Sequence, residues 1–320
     1  MAKERIVYLD LAKFVAITLV CVSHCYFLTD INNPVCWIIS SFYMPLFMLM
    51  CGFFSKSSFQ LSIKDFLKKK SIQLLIPAIV CSILSCLILT MFGKPLLNWR
   101  ELYGSVWFLK TLFACYLVVF LIKKVISQDW LACLISSILL IVLPFGYTLM
   151  ISYLLLFFWT GFFIRKNYTE YQKNIESITF VSGIVFVLLC ILGFAHPQVA
   201  FKLYTVLEEP LMCLTQYVVA LAGSLLILGI CFYISEWIKH TTLVTSLSKV
   251  GQYTLGIYVV QTIILERLFL NVVHFDYYTS ITNYFVIPLL GIFFCFISYG
   301  LVLLLRKNSH VNMFFFGNQY

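Results

Sequence analysis

Residues 8–27, YLDLAKFVAITLVCVSHCYF, form an apolar run that carries Asp10, Lys13 and His24. A run of this length reads as a membrane-crossing helix, where an ionisable group is costly unless it faces protein or water. At ~100° per residue, the step from Lys13 to His24 returns to within ~20° of one direction, and Asp10 lies within ~60° of both. All three therefore share a stripe, with His24 ~16 Å beyond Lys13 along the axis. An imidazole so placed can take the proton of a hydroxyl as a general base, and the cation can meet an anion such as a phosphate. A ligand lying lengthwise through the bilayer would touch both. Two structural readings stand beside this one. Asp10 and Lys13, three residues apart, suit an intrahelical ion pair, and a buried histidine also serves as a hydrogen bond between helices.

The rest of the chain must position that stripe. Of 320 residues, 62% are hydrophobic and only 11% charged, against about 25% charged in ordinary globular domains. We therefore expect a single membrane-embedded domain over residues 1–320. The net charge of +9 does not point to nucleic acid here, because the cations fall in short loops where they set topology. Lys3 and Arg5 precede an apolar run that carries Asp10 and Lys13 and offers no small-x-small cleavage site, so we expect it to be retained rather than cleaved. The 12 Cys include no C-x-x-C pair; buried free thiols are expected, with neither a disulfide framework nor a metal site.

Ten apolar runs are long enough to span: 6–28, 36–54, 72–92, 105–122, 130–145, 147–164, 178–195, 217–235, 251–270 and 283–305. The fifth and sixth are separated only by Pro144, Phe145 and Gly146, a turn signal. Sixteen of the 22 Lys and Arg, Lys3 and Lys239 among them, fall in one set of alternating segments and four in the other. That bias predicts an all-α, ten-helix integral membrane protein with both termini cytoplasmic. Residues 54–70, FSKSSFQLSIKDFLKKK, read as an amphipathic inner-leaflet segment. The largest outer loops are 93–104 and 196–216, the latter bearing His196, Glu208 and Glu209. Pro45 and Gly52 should kink helix 2 and pack it closely, opening room beside helix 1. His24, Lys110, Glu266 and Arg267 then reach a similar depth in the outer half, with Trp107 near the outer interface and Gln261 near the midplane.

Several of these segments together carry a resemblance. The opening YLDLAKFVAITLVCVSH is similar to the first helix of the acyltransferase-3 family of membrane O-acyltransferases, in which a basic residue precedes His by the same spacing, with Lys13 here where Arg is usual. FYMPLFMLMCGFF (42–54), SVWFLKTLF (105–113), LLFFWTGFFIRK (155–166) and VGQYTLGIYVVQ (250–261) resemble further family segments in the same order, and Gln261 stands where many members have His. The resemblance covers residues 5–305.

It implies transfer of an acyl group, usually acetyl, from cytoplasmic acyl-CoA to a hydroxyl of a carbohydrate or similar envelope molecule, in a bacterial plasma membrane. His24 is then the expected catalytic base, by direct transfer or through a transient acyl-histidine. Lys13, oriented by Asp10, would meet a CoA phosphate as a point charge, without Arg's bidentate geometry. Arg165 and Lys166 are topology anchors or further phosphate contacts, as are Lys68–Lys70. Trp107, Lys110, Glu266, Arg267 and Gln261 are candidates for acceptor binding or oxyanion stabilisation, or else snorkelling, belt and hydrogen-bonding residues. The rival reading is a transporter or flippase of a sugar-linked lipid or small solute, with the intramembrane charges as its path. No internal repeat supports it.

Overall fold

The stripe-bearing run is a helix, α1 (Val7–Cys25), continued by a tight turn to Leu28. In the computed structural model, which describes residues 5–197, 199–238, 241–275 and 278–320, no strand is present among the described residues. Lys3 and Lys239, counted above, lie outside them. After α1 come α2 (Pro34–Phe53), α3 (Ile63–Lys70), α4 (Ile76–Thr90), α5 (Trp99–Gly104), α6 (Trp107–Val125), α7 (Asp129–Val142) and α8 (Ile151–Lys166). The second half holds α9 (Tyr168–Lys173), α10 (Ile175–Ile191), α11 (Leu203–Glu208), α12 (Pro210–Trp237), α13 (Thr242–Gly251), α14 (Thr254–Gln261), α15 (Leu270–Val272), α16 (Ile287–Leu305) and α17 (Ser309–Phe316).

Seven helical stretches among the described residues are long and apolar enough to cross a membrane. The chain is thus an all-α, multi-pass integral membrane protein. Each expected segment falls on helix, but α7 and α10 are shorter than a full span, and α6 carries Lys110, Lys123 and Lys124.

Three boundaries differ from expectation for local reasons. The third span begins at Ile63 rather than 72, because residues 71–75 adopt wide i→i+5 turns that join α3 to α4 without a break. Ser62 starts α3, its hydroxyl accepting from the Asp65 N–H at 3.1 Å. The amphipathic α3 does not simply lie on lipid: Phe66 is fully buried and stacks on Phe120 at 3.9 Å. The expected 251–270 span is divided, with α13 ending at Gly251 and α14 starting at Thr254. The turn after α7 runs from Pro144 to Met150, longer than its three expected residues.

Helix α1 is the centre of the packing, touching α2, α12, α13, α14 and α16. Small residues allow this. Ala12 and Ala16 are fully buried on α1. A Cβ at Gly251 would meet the Asp10 carbonyl oxygen at 1.8 Å, and one at Gly291 the Val22 Cα at 2.4 Å. Helices α2 and α8 cross through Gly52 and Gly161, where added Cβ atoms would meet the carbonyl oxygens of Phe158 and Leu49 at 1.9 and 1.8 Å. The close packing expected at Gly52 is therefore present. Pro45 sits inside α2 and removes one hydrogen bond from its ladder.

Candidate functional site

The ends of α2, α8 and α12 and the start of α1 frame a cavity of about 1100 Å³. Arg5, Lys13, Lys56 and Arg165 line it, with Asp10 and Glu236 as its acidic side chains. We refer to this as the basic end. Lys13 donates to Asp10 Oδ1 at 2.9 Å and lies 4.8 Å from the centre of the Phe54 ring. The ion pair expected within the helix is therefore formed, and Lys13 faces the cavity as well. Arg165 lies against the rings of Phe53 and Tyr168, at 5.2 and 5.5 Å. Lys166, one ~100° step further round α8, instead binds Asp129 at 2.7 Å, a carboxylate that Lys123 also holds.

A narrower cavity of about 260 Å³ leads inward from this vestibule, and Lys13, Phe54 and Gln252 line both. Its wall includes Lys70, Cys51, Tyr116, Tyr258 and Tyr320. Lys70 is 7% exposed. Its Nζ rests 3.5 Å from the centre of the Tyr116 ring, and no carboxylate pairs with it among the described residues. A buried cation facing a cavity with only a ring for company is an anion-binding feature. In the sequence Lys70 is only the last of a lysine run. The available signal was its position four residues after Phe66, on that helix's apolar face.

The third cavity, about 210 Å³, lies at the opposite end between the end of α1 and the starts of α2 and α6. His24, Ser23, Trp37, Ser40, Tyr43 and Trp107 line it. The His24 Nε2 is 3.4 Å from Glu266 Oε1. That same oxygen accepts from Gln261 Nε2 at 3.0 Å and Thr262 Oγ1 at 3.3 Å, while Arg267 Nη1 reaches Oε2 at 3.2 Å. Arg267 is held in turn by Glu101 on α5, Nε to Oε1 at 2.5 Å. Gln261 is fully buried, and its Oε1 has no hydrogen-bond partner among the described residues.

Backbone geometry explains this cluster. Residues 262–269 form a second run of wide turns. In an α-helix Gln261 and Glu266 would point ~140° apart; the i→i+5 turn brings them side by side. The structure thus assembles His24, Gln261, Glu266 and Arg267 as one network, with Trp107 on the wall of the same cavity. Trp37, not singled out in the sequence, is a second aromatic wall, its ring 5.5 Å from that of His196 in the segment between α10 and α11.

Lys110 is placed differently. Its ammonium donates to the carbonyl oxygens of Leu102, Tyr103 and Ser105 at 2.6, 3.0 and 2.8 Å and to Ser82 Oγ at 3.0 Å. It closes the last turn of α5 and lines none of the three cavities.

Comparison with known proteins adds to this geometry. A family model described as an acyltransferase domain matches residues 6–305. The nodulation protein NolL of Sinorhizobium fredii is 26% identical over 291 residues, covering 81% of this chain and 78% of that protein. No solved structure matches the chain.

Proposed function

The chain belongs to the acyltransferase-3 family, and on that premise we propose that it moves an acetyl group from acyl-CoA to a hydroxyl of a cell-envelope carbohydrate. In this reading the basic end faces the cytoplasm of a bacterial cell, both termini lie on that side, and the opposite end receives the acceptor. The observation that carries the reading is the line of three cavities: cations surround the first, Lys13 marks the passage to the second, and His24 stands in the third.

The dimensions suit this donor. From diphosphate to sulfur the pantetheine arm is about twelve bonds, or ~14 Å at the ~3.5 Å spanned by each three bonds of extended chain. The rise from Lys13 to His24 is ~16 Å. With its diphosphate at Lys13 and Lys70, acyl-CoA brings its thioester to the level of His24. Arg5, Lys56 and Arg165 then face the nucleotide end and its remaining phosphate.

The donors around Glu266 set the chemistry of His24. Gln261, Thr262 and Arg267 all donate to this carboxyl group and fix its orientation. The carboxylate lies 3.4 Å from His24 Nε2; in this reading it keeps the proton on that nitrogen and leaves Nδ1 with its lone pair. Nδ1 takes the acceptor hydroxyl's proton as the oxygen attacks the thioester carbonyl. The C–S bond breaks, and the departing thiolate is protonated to give CoA thiol and the acyl ester. Glu266 is a positioning residue that also balances the transient imidazolium. Trp37 and Trp107 offer faces for a sugar ring, while Ser23, Ser40 and Tyr43 offer hydroxyls to it.

The test is CoA-thiol release from acetyl-CoA by purified protein in lipid nanodiscs, with envelope polysaccharide as acceptor. Wild type should release thiol and form O-acetyl ester, while His24→Ala and His24→Gln should do neither above background. Absence of thiol release by wild type across a panel of acyl-CoA donors and glycan acceptors would reject the reading.

A further inference from the structure

Donor and acceptor cavities meet at a single side chain. Among the described residues, Met44 alone lines both the 260 Å³ tunnel and the 210 Å³ cavity that contains His24. Lys13 lines only the tunnel and the vestibule, and His24 only the outer cavity. Met44, which is 2% exposed, is thus the described side chain at which the two cavities adjoin.

Its surroundings single it out as the adjustable part of that boundary. The tunnel wall nearby is built of rings that hold one another: Phe47 lies 5.9 Å from Phe108, and the Phe108 N–H donates to Tyr258 Oη at 3.4 Å. Met44 is unbranched, with three rotatable side-chain bonds and a polarisable sulfur, so it can change shape where the rings cannot. Pro45, the next residue, leaves the ladder of α2 one hydrogen bond short at this level.

We propose that Met44 is the partition between donor and acceptor cavities and sets the length of the acyl group that can be presented to His24. The proposal rests on the acyl-transfer reading of the same site. For the carbonyl to reach the hydroxyl at His24, the acyl tail must lie beside the thioether. An acetyl group adds one methyl there; each further carbon presses on Met44 or enters the acceptor's space. Replacing Met44 by Ala removes three heavy atoms and makes room for about as many acyl carbons. A methylene's fit in an apolar pocket changes discrimination by ~10-fold or more.

The experiment compares kcat/KM for acetyl-, propionyl-, butyryl- and hexanoyl-CoA in wild type, Met44→Ala, Met44→Val and Met44→Phe, with donor binding measured separately. Wild type should fall at least ~10-fold from acetyl to butyryl, and Met44→Ala should recover most of that loss. Met44→Val should shift the profile less in the same direction, and it serves as the reading if the Ala variant does not accumulate folded. Met44→Phe should bind donor normally and transfer poorly at every length. An unchanged chain-length profile in Met44→Ala or Met44→Val, with acetyl transfer intact, would overturn the proposal while leaving the enzyme reading in place. A wild type inert toward every acyl-CoA would instead remove the acyl-transfer reading, and this proposal with it.

Discussion

The two ends of the passage handle charge in opposite ways. At the basic end the cations outnumber their carboxylate partners: Lys13 has Asp10, but Arg165 and Lys70 rest on aromatic rings. At the opposite end the charges form a closed chain from His24 through Glu266 and Arg267 to Glu101. Unbalanced cations beside a wide cavity suit an anion that comes and goes. A closed chain around a small cavity suits a proton that moves within a fixed frame. Substitutions at the first end should therefore alter donor affinity, and those at the second should alter turnover.

His24 should show the largest effect. His24→Ala is expected to lower kcat by ~10²–10⁴-fold with little change in the KM for acyl-CoA. His24→Gln separates catalysis from packing, since Gln can still donate a hydrogen bond toward Glu266 but cannot take the proton at neutral pH. Both variants should melt near wild type. Near-normal turnover in His24→Gln would make His24 a structural link and erase the contrast between the ends.

Glu266→Gln should lower kcat by less than the loss at His24, ~10–10²-fold, because the imidazole remains and only its orientation and charge balance are weakened. Donor KM should stay put. A raised KM with unchanged kcat would move Glu266 from proton handling to substrate binding.

Lys70→Met probes the other end. A charge-assisted contact to phosphate is worth about 1.5–3 kcal/mol, so donor KM should rise ~10–100-fold with kcat nearly unchanged. Met preserves the apolar stem and relieves a buried charge that lacks a carboxylate partner, so thermal stability should hold or increase. A marked loss of stability at constant KM would assign Lys70 to the fold.

The sequence makes half of this contrast legible. Within α1, fixed helical periodicity converts spacing into direction, so Lys13 and His24 could be placed on one stripe and given an axial separation. The same rule fails at Gln261 and Glu266, whose meeting depends on wide turns with no signature in the local apolar pattern. Lys70 stands in the sequence only as one of three adjacent lysines, anchors or phosphate contacts alike, although Phe66 marks the face it shares. Met44 is one apolar residue among many in α2; its importance comes from two cavities meeting there, a property of packed helices rather than of any one segment. Axial spacing puts Lys110 at a level but says nothing of its neighbours; the structure turns its ammonium to the carbonyls at the end of α5.

That placement leads to the smallest expected effect on activity. Lys110 donates to three carbonyls and one hydroxyl, so Lys110→Met should leave the end of α5 uncapped and destabilise the protein by about 1–3 kcal/mol. The loss should appear as a lower melting temperature in detergent or nanodiscs. Any kinetic consequence must travel indirectly, because α5 also carries Glu101, which holds Arg267 against Glu266. A loosened α5 should therefore trim kcat by less than ~10-fold and leave both donor and acceptor KM unchanged. Glu101→Gln should give a similar small kcat loss without the same drop in melting temperature, since it keeps the cap and weakens only the link to Arg267. If Lys110→Met instead abolished transfer at an unchanged melting temperature, the ammonium would have to leave its carbonyls during turnover and meet the acceptor or the thioester oxygen. The opposite end would then contain a mobile cation, and its contrast with the basic end would fail.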